Sequence, residues 1–268
     1  MSTYVEQKKL LEKLDPSRVR LLKDVIKNSS QDFVCLKRDV ECKVKKAYKL
    51  CKIEHSLGVS ATYYVQHSLL KSPKNIKLLK KMQQLGADIS YHHDVMDANG
   101  GDIQKAAVDF DKKLSDFSVN GFSTDTVCQH GNPVVNRVGY SSNRDFFRSD
   151  IAKDRYPNIV DIVANMSQKT GTYTYISDYG RSWKIVLEPE KDKSEHIALP
   201  KIEDVAKTIN EKEKVVVSMH PHRLCANKFT ESLSRAKFNI IRGTAKLLMK
   251  IPFFKKIMSR FYYLARKV

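Results

Sequence analysis

Several β-rich runs in this chain end in residues that bind metal or move protons. FVCLKR leads into Asp39-Val40-Glu41, ATYYVQ into His67, ADISY into His92 and His93, DTVCQ into His130, YTYIS into Asp178, and KVVVSM into His220. Asp39 and Glu41 are two apart on a strand end, so their side chains leave on the same face. One could hold a cation while the other deprotonates a water whose pKa the cation lowers. The other reading is a pair of solvated charges balanced by Arg38 and Lys43. Imidazole is the commonest metal ligand and titrates nearest neutral pH. His92 and His93 are adjacent, so on a strand only one can enter a shared site.

Further along, Asp178 is followed by Arg181 and the only tryptophan, Trp183: an orienting carboxylate, a cation, and a flat ring that either holds a sugar or fills the core. Arg137, Arg144 and Arg148 lie in a long stretch, 131–156, rich in Asn, Gly, Ser and Arg. They either bind an anionic substrate group or keep the loop soluble.

Strands of a barrel of β/α units all present their C-terminal ends to one face, where such residues converge. The chain supplies the required alternation. FVCLKR precedes the helix pattern VKKAYKLCKIEHSLG, and VSATYYVQ precedes NIKLLKKMQQLG. Gly58 and Gly86 suit helix C-terminal caps, and two helix-Gly-strand joints favour parallel units over a sandwich. ADISYH, the loop DVMDANGGD, the helix IQKAAVDFDKKLSDF and the strand DTVCQ continue the pattern. After the long irregular stretch come a helix, PNIVDIVANMSQ, the strand YTYIS, the segment DYGRSWKIVL, a charged loop, the helix KIEDVAKTINEK and the strand VVVSMH. The expected fold is α/β: a distorted (β/α) barrel of about seven units with N- and C-terminal helical extensions. Residues 1–31 form N-terminal helices, with two helical segments over 4–28; residues 32–226 form the barrel and 227–268 a basic amphipathic helical tail.

With 268 residues, 41% of them hydrophobic, the chain can bury a sizeable core. Five cysteines lack C-x-x-C spacing and read as reduced thiols in a cytoplasmic protein. The N-terminus is charged throughout, without a signal-peptide core, and no apolar run of spanning length occurs. There is no G-x-G-x-x-G, Walker loop, G-x-S-x-G elbow or H-E-x-x-H, which disfavours the corresponding nucleotide, serine-hydrolase and zincin chemistries.

In the order of its motifs, residues 32–222 resemble the polysaccharide deacetylase family, metal-dependent carbohydrate esterases that remove N-acetyl groups from amino sugars on a distorted β/α barrel. RDVE resembles the first motif, implying Asp39 as catalytic base and Glu41 as metal ligand. GADISYH resembles the second, implying His92 as ligand; that motif usually adds a histidine four residues later, where Met96 stands here. QHGNP corresponds to the third and implies His130 as a ligand or an arginine replacement. DYGRSW resembles the fourth, and VVVSMHP the fifth, implying His220 as catalytic acid. The resemblance thus implies a hydrolase acting on a non-peptide carbon–nitrogen bond with a divalent metal, Zn²⁺ by family habit. His93, Arg144, Arg148, Asp178, Arg181 and Trp183 are then substrate-binding candidates. The alternative is a barrel without activity that binds a glycan, with Met96 as its best feature.

Net charge is +18, and residues 228–268 hold 11 Lys or Arg against the single Glu231. FNIIRGTAKLLMKIPFFKKIMSRFYYLARKV interleaves these cations with apolar residues and breaks at Pro252. That pattern fits contact with an anionic membrane by a cytoplasmic enzyme acting on a lipid-linked sugar, or a helix packed on the barrel with its basic face in water. Nucleic acid is disfavoured as partner, since no recognition motif accompanies the charge.

Overall fold

The computed structural model describes residues 3–28, 32–132, 135–192 and 194–248. Its centre is one sheet of nine strands: β1 (Phe33–Val40), β2 (Thr62–Val65), β3 (Asp88–His93), β4 (Thr126–Gln129), β5 (Val160–Asp161), β6 (Thr174–Ser177), β7 (Lys184–Val186), β8 (His196–Ala198) and β9 (Lys214–Met219). Their order is β5-β4-β3-β2-β1-β9-β6-β7-β8. Every pairing from β5 to β6 along that order is parallel, which gives seven parallel strands. β7 and β8 extend the β6 edge as an antiparallel hairpin.

The sheet curls on itself. Cys35 of β1, Tyr64 of β2, Cys128 of β4, Val160 of β5, Tyr175 of β6 and Val216 of β9 meet in one interior cluster, although β5 and β6 are five strands apart in the order. Between those two strands, Tyr173 Oη donates to the Ile162 carbonyl at 2.9 Å. This is the expected α/β barrel of about seven units, with its seam at β5 and β6.

Among the described residues, ten α-helices surround or close the sheet and an eleventh follows it. The long amphipathic ones, α3 (Val44–Ser56), α4 (Pro73–Gln84), α6 (Ile103–Val119) and α10 (Ile202–Glu211), bury Leu50, Met82, Phe110 and Ile209 against the outward strand faces. α1 (Tyr4–Leu11) adds Leu10 and Leu11 to that layer, and its N-cap Thr3 and Glu6 form a reciprocal capping box. Gly58 and Gly86 take φ of +69° and +89° after α3 and α4, the left-handed exits read from the sequence.

Only part of residues 17–28 is helical. A 3-10 turn (Pro16–Arg18) and one bridge from Val19 to Val34 precede the single turn α2 (Leu22–Val25). α2 plugs the N-terminal end of the barrel. Leu22 and Val25 enter the interior cluster, the Leu22 N–H donates to Thr62 Oγ1, and Lys23 pairs with Asp88 at 3.0 Å.

Four further stretches differ from the sequence reading. The run 157–168, expected as helix, holds β5 and then α9 (Ser167–Thr170). Its β-branched residues fit either period, and pairing with β4 decides. The 131–156 stretch contains α7 (Asp145–Arg148) and α8 (Asp150–Arg155), and the charged loop after Val186 ends in β8. The DVMDANGGD loop includes the short helix α5 (Val95–Ala98). After β9 the chain reaches α11 (Lys228–Leu248), so the tail is helical as far as it is described. The break at Pro252 and the second tail helix lie outside the described residues.

Candidate metal centre and proton-transfer site

Alternation along β1 sends Phe33, Cys35, Lys37, Asp39 and then Glu41 inward, and Val34, Leu36, Arg38 and Val40 outward. The bottom of the interior is apolar and the top is polar. Asp39, Glu41, His92, His130, Asp178 and His220 all stand at C-terminal strand ends of one face, as expected.

Glu41, His92 and His130 present ligand atoms within 4.8 Å of one another. His130 Nε2 lies 3.4 Å from Glu41 Oε1, and the two imidazoles meet edge to face with centroids 5.1 Å apart. His92 Nδ1 lies 2.9 Å from the Cys128 carbonyl. A carbonyl only accepts, so Nδ1 carries the proton. Burial pushes the His92 pKa down to about 4, so the ring is neutral and Nε2 keeps its lone pair. This is the usual way an outer hydrogen bond orients a ligating imidazole. His130 Nδ1 is buried with no hydrogen-bond partner among the described residues. Two imidazoles and one carboxylate are a donor set suited to Zn²⁺, so the residues fit the cation that the resemblance implies.

A second possible ligand group, Asp39, His92 and Cys128, shares His92. It suits a metal less well. Burial drives the Cys128 thiol well above its ordinary pKa, and both Asp39 oxygens are taken by Lys37 Nζ, at 2.6 and 2.5 Å. Lys37 is fully buried, also donates to Ser218 Oγ at 3.2 Å, and lies over the Tyr64 ring. Burial alone would raise the Asp39 carboxyl; Lys37, His92 and His220 outweigh it and hold the group below its ordinary value. Burial likewise opposes ionisation of Glu41, and hydrogen bonds from His130 and His220 hold it well below the ordinary range. The reading of Asp39 and Glu41 as solvated charges is therefore not what the structure has. Arg38, its supposed balance, is buried on the outer face against Glu54 at 2.8 Å.

His220 faces this group from β9. Its Nδ1 lies 2.6 Å from Asp178 Oδ1, and its Nε2 lies 3.5 Å from Glu41 and 3.9 Å from Asp39. Arg223 donates to the same Asp178 Oδ1 at 3.0 Å and to the Asp178 carbonyl at 2.9 Å, which fixes that carboxylate. Burial and Arg223 work against protonation of His220, but Asp178 and Glu41 raise its pKa to about 9. At neutral pH the ring is a cation with one N–H fixed and the other directed into the site.

Other expected residues go elsewhere. His93 points outward from β3, is fully buried, and bonds Asp161 of β5 at 2.7 Å among Phe110, Phe146 and Phe147. Alternation after His92 is the reason, and its ring does not reach the site. His67 sits in a 3-10 turn (His67–Lys71) and pairs with Asp116 of α6 at 2.6 Å. Arg144 donates to the Lys191 carbonyl at 2.6 Å and Arg148 pairs with Asp192 at 2.9 Å, so both tie down the 190–192 loop. Arg137 grips Asp97 with two hydrogen bonds of 2.8 Å. Asn143, bonded to that same carboxylate, donates to the His130 carbonyl at 2.8 Å, so this loop secures His130. Trp183 is only 8% exposed and packs in the outer hydrophobic layer. With Asp178, Arg181 and His220 it lines a cavity of about 10 Å³, room for one water and not for a sugar ring. Arg181 turns to α11, its guanidinium 4.2 Å from the Phe238 ring centroid.

Three further residues neighbour the site: Lys37, His222 and Arg223. Lys37 was legible from the two-residue period that selects Asp39 and Glu41. His222 follows His220 by two residues, its ring centroid 5.7 Å away, and burial lowers its pKa to about 3. Arg223 has no local signal, because its partner Asp178 is 45 residues away.

No family model matches the sequence, and no curated protein matches it. Among solved structures, the chain is similar to the catalytic domain of a peptidoglycan N-acetylglucosamine deacetylase from Eubacterium rectale. The identity is 11% and the TM-score 0.46, over 81% of this chain and 87% of that one. It is also similar to a CE4-family pseudoenzyme from Bacillus anthracis, at 11% identity and TM-score 0.41 over 81% and 63% of the two chains. A mutant of that pseudoenzyme with restored activity gives 12% and 0.42, over 81% and 65%.

Proposed function

We propose that this chain is a metal-dependent hydrolase that removes an N-acetyl group from an amino sugar of a cell-surface polysaccharide or a lipid-linked glycan precursor. One observation carries the reading: His220, backed by Asp178, aims its free nitrogen at Asp39 and Glu41 beside the Glu41–His92–His130 donor set. A divalent cation bound by those three residues, Zn²⁺ by their chemistry, supplies Lewis-acid polarisation of an acyl carbonyl and a more acidic water. Asp39, kept ionised by Lys37, accepts the proton of the attacking water. His220, kept protonated by Asp178, delivers a proton to the departing amine nitrogen, so the C–N bond breaks to acetate and a free amine. Asp178 thus serves through His220 and not as a sugar contact.

Met96 is buried in the outer hydrophobic layer, while His130 offers the third ligand, which supports this reading over a glycan-binding barrel without activity. The five cysteines are all free, which supports a cytoplasmic setting.

Acetate release from a panel of N-acetylated amino sugars, free and lipid-linked, tests the proposal. We expect Asp39→Asn to lose about 10²–10⁴-fold in rate, the usual weight of a general base, with metal content unchanged. Wild-type rates in that variant contradict the assignment.

A further inference from the structure

We propose that α11 is a docking helix for an anionic lipid surface. This stands apart from the deacetylase reading and rests on which face the helix turns outward. Among the described residues, the contacts that hold α11 on the body come from one side. Arg181 Nη1 donates to Ser234 at its carbonyl and its hydroxyl, both at 3.1 Å, and stacks on Phe238. Glu231 is buried and pairs with Arg235 at 3.1 Å and with Lys228, which also pairs with Glu6 of α1. Glu231, Ser234 and Phe238 are three and four apart and share that inner face.

The outward face carries three exposed apolar residues. Phe229 is 77% exposed, Leu233 64% and Ile240 69%, at intervals of four and seven that align them in one row. An ordinary surface helix does the reverse, burying its apolar stripe and exposing its charges. The exposed Lys237 lies on the same helix, and the chain from Lys228 onward carries a net +10. A second copy of this chain would bring equal positive charge against the row. A nucleic acid would take the cations and leave the row in water. An anionic bilayer takes both, with apolar side chains entering the interface and Lys or Arg meeting lipid phosphates. Arg181, the anchor, follows Asp178 by three residues on the site's rim, so a docked α11 brings that rim to the lipid surface.

Flotation of the full-length protein with vesicles decides the matter, using phosphatidylcholine alone and phosphatidylcholine mixed with phosphatidylglycerol. We expect binding to the mixed vesicles only, falling as salt is raised. The triple variant Phe229→Ser, Leu233→Ser, Ile240→Ser should bind at least about tenfold more weakly, since insertion of even one such side chain is worth about that factor. The three positions are exposed, so circular dichroism and melting temperature should not change; Lys237→Glu, which leaves the row intact, should weaken binding as well. Equal flotation of wild type and triple variant, equal affinity for neutral vesicles, or concentration-dependent self-association that the triple variant removes would each overturn the proposal.

Discussion

His92 and His93 are neighbours in the chain and strangers in the fold. His92 points into the barrel, hydrogen-bonds a backbone carbonyl through Nδ1, and keeps a lone pair beside Glu41 and His130. His93 points outward, bonds a buried carboxylate, and is ringed by phenylalanines. Burial does not separate them, for both are almost wholly buried. Their surroundings do: a polar interior top with convergent donors on one face, a packed hydrocarbon layer on the other. A buried imidazole becomes a ligand candidate through the lone pairs it faces, not through its depth.

Substitutions can break this contrast, and the largest effect belongs to His92. His92→Ala should remove the metal and lower acetate release by more than about 10³-fold, while the fold survives by circular dichroism. Next is Lys37→Met. Stranding the Asp39 charge in the interior should cost about 3–5 kcal/mol in urea-unfolding experiments, whereas Lys37→Arg recovers part of it. His93→Leu should cost less, about 1–3 kcal/mol for the partner lost to Asp161, with metal content intact. An effect on metal content equal to that of His92→Ala would erase the distinction between the two faces.

The smallest effect is on pH dependence. His220 titrates near 9, above the unfolded value of about 6.5. Its coupling to Asp178 therefore stabilises the metal-free fold fully below about pH 6.5, and that contribution is lost as pH rises through about 9. As proton donor, His220 should give kcat/KM an alkaline limb near the same value, and Asp178→Asn should move that limb to lower pH. An unmoved limb would assign it to another group.

Much of this was legible in the chain. The strand-end positions of Asp39, Glu41, His92, His130, Asp178 and His220, and six of the seven parallel strands, follow from two-residue periodicity and the helix-Gly-strand joints. What stayed hidden depends on contacts distant in sequence. In residues 157–168, Ile159, Val160, Ile162 and Val163 fit a helical face, and only pairing with β4 makes β5. For Arg144 and Arg148 the sequence leaves anion binding and loop solubility open, because their carbonyl and carboxylate partners at 190–192 lie more than 40 residues on. For Trp183 the sequence leaves sugar platform and core ring equally open, because it reveals a ring but not what covers it. Lys37 is the exception. Its face follows from the same alternation as that of Asp39, and a lysine inside a strand two residues before an acid is placed to be that acid's buried partner.

The account's central claim is that Glu41, His92 and His130 hold one divalent cation. Metal content per chain, measured by mass spectrometry on protein reconstituted with Zn²⁺ and then desalted, tests it most directly. The account predicts one equivalent in the wild type and in His93→Leu, and none in His92→Ala. An undiminished equivalent in His92→Ala, or none in the wild type, would contradict it.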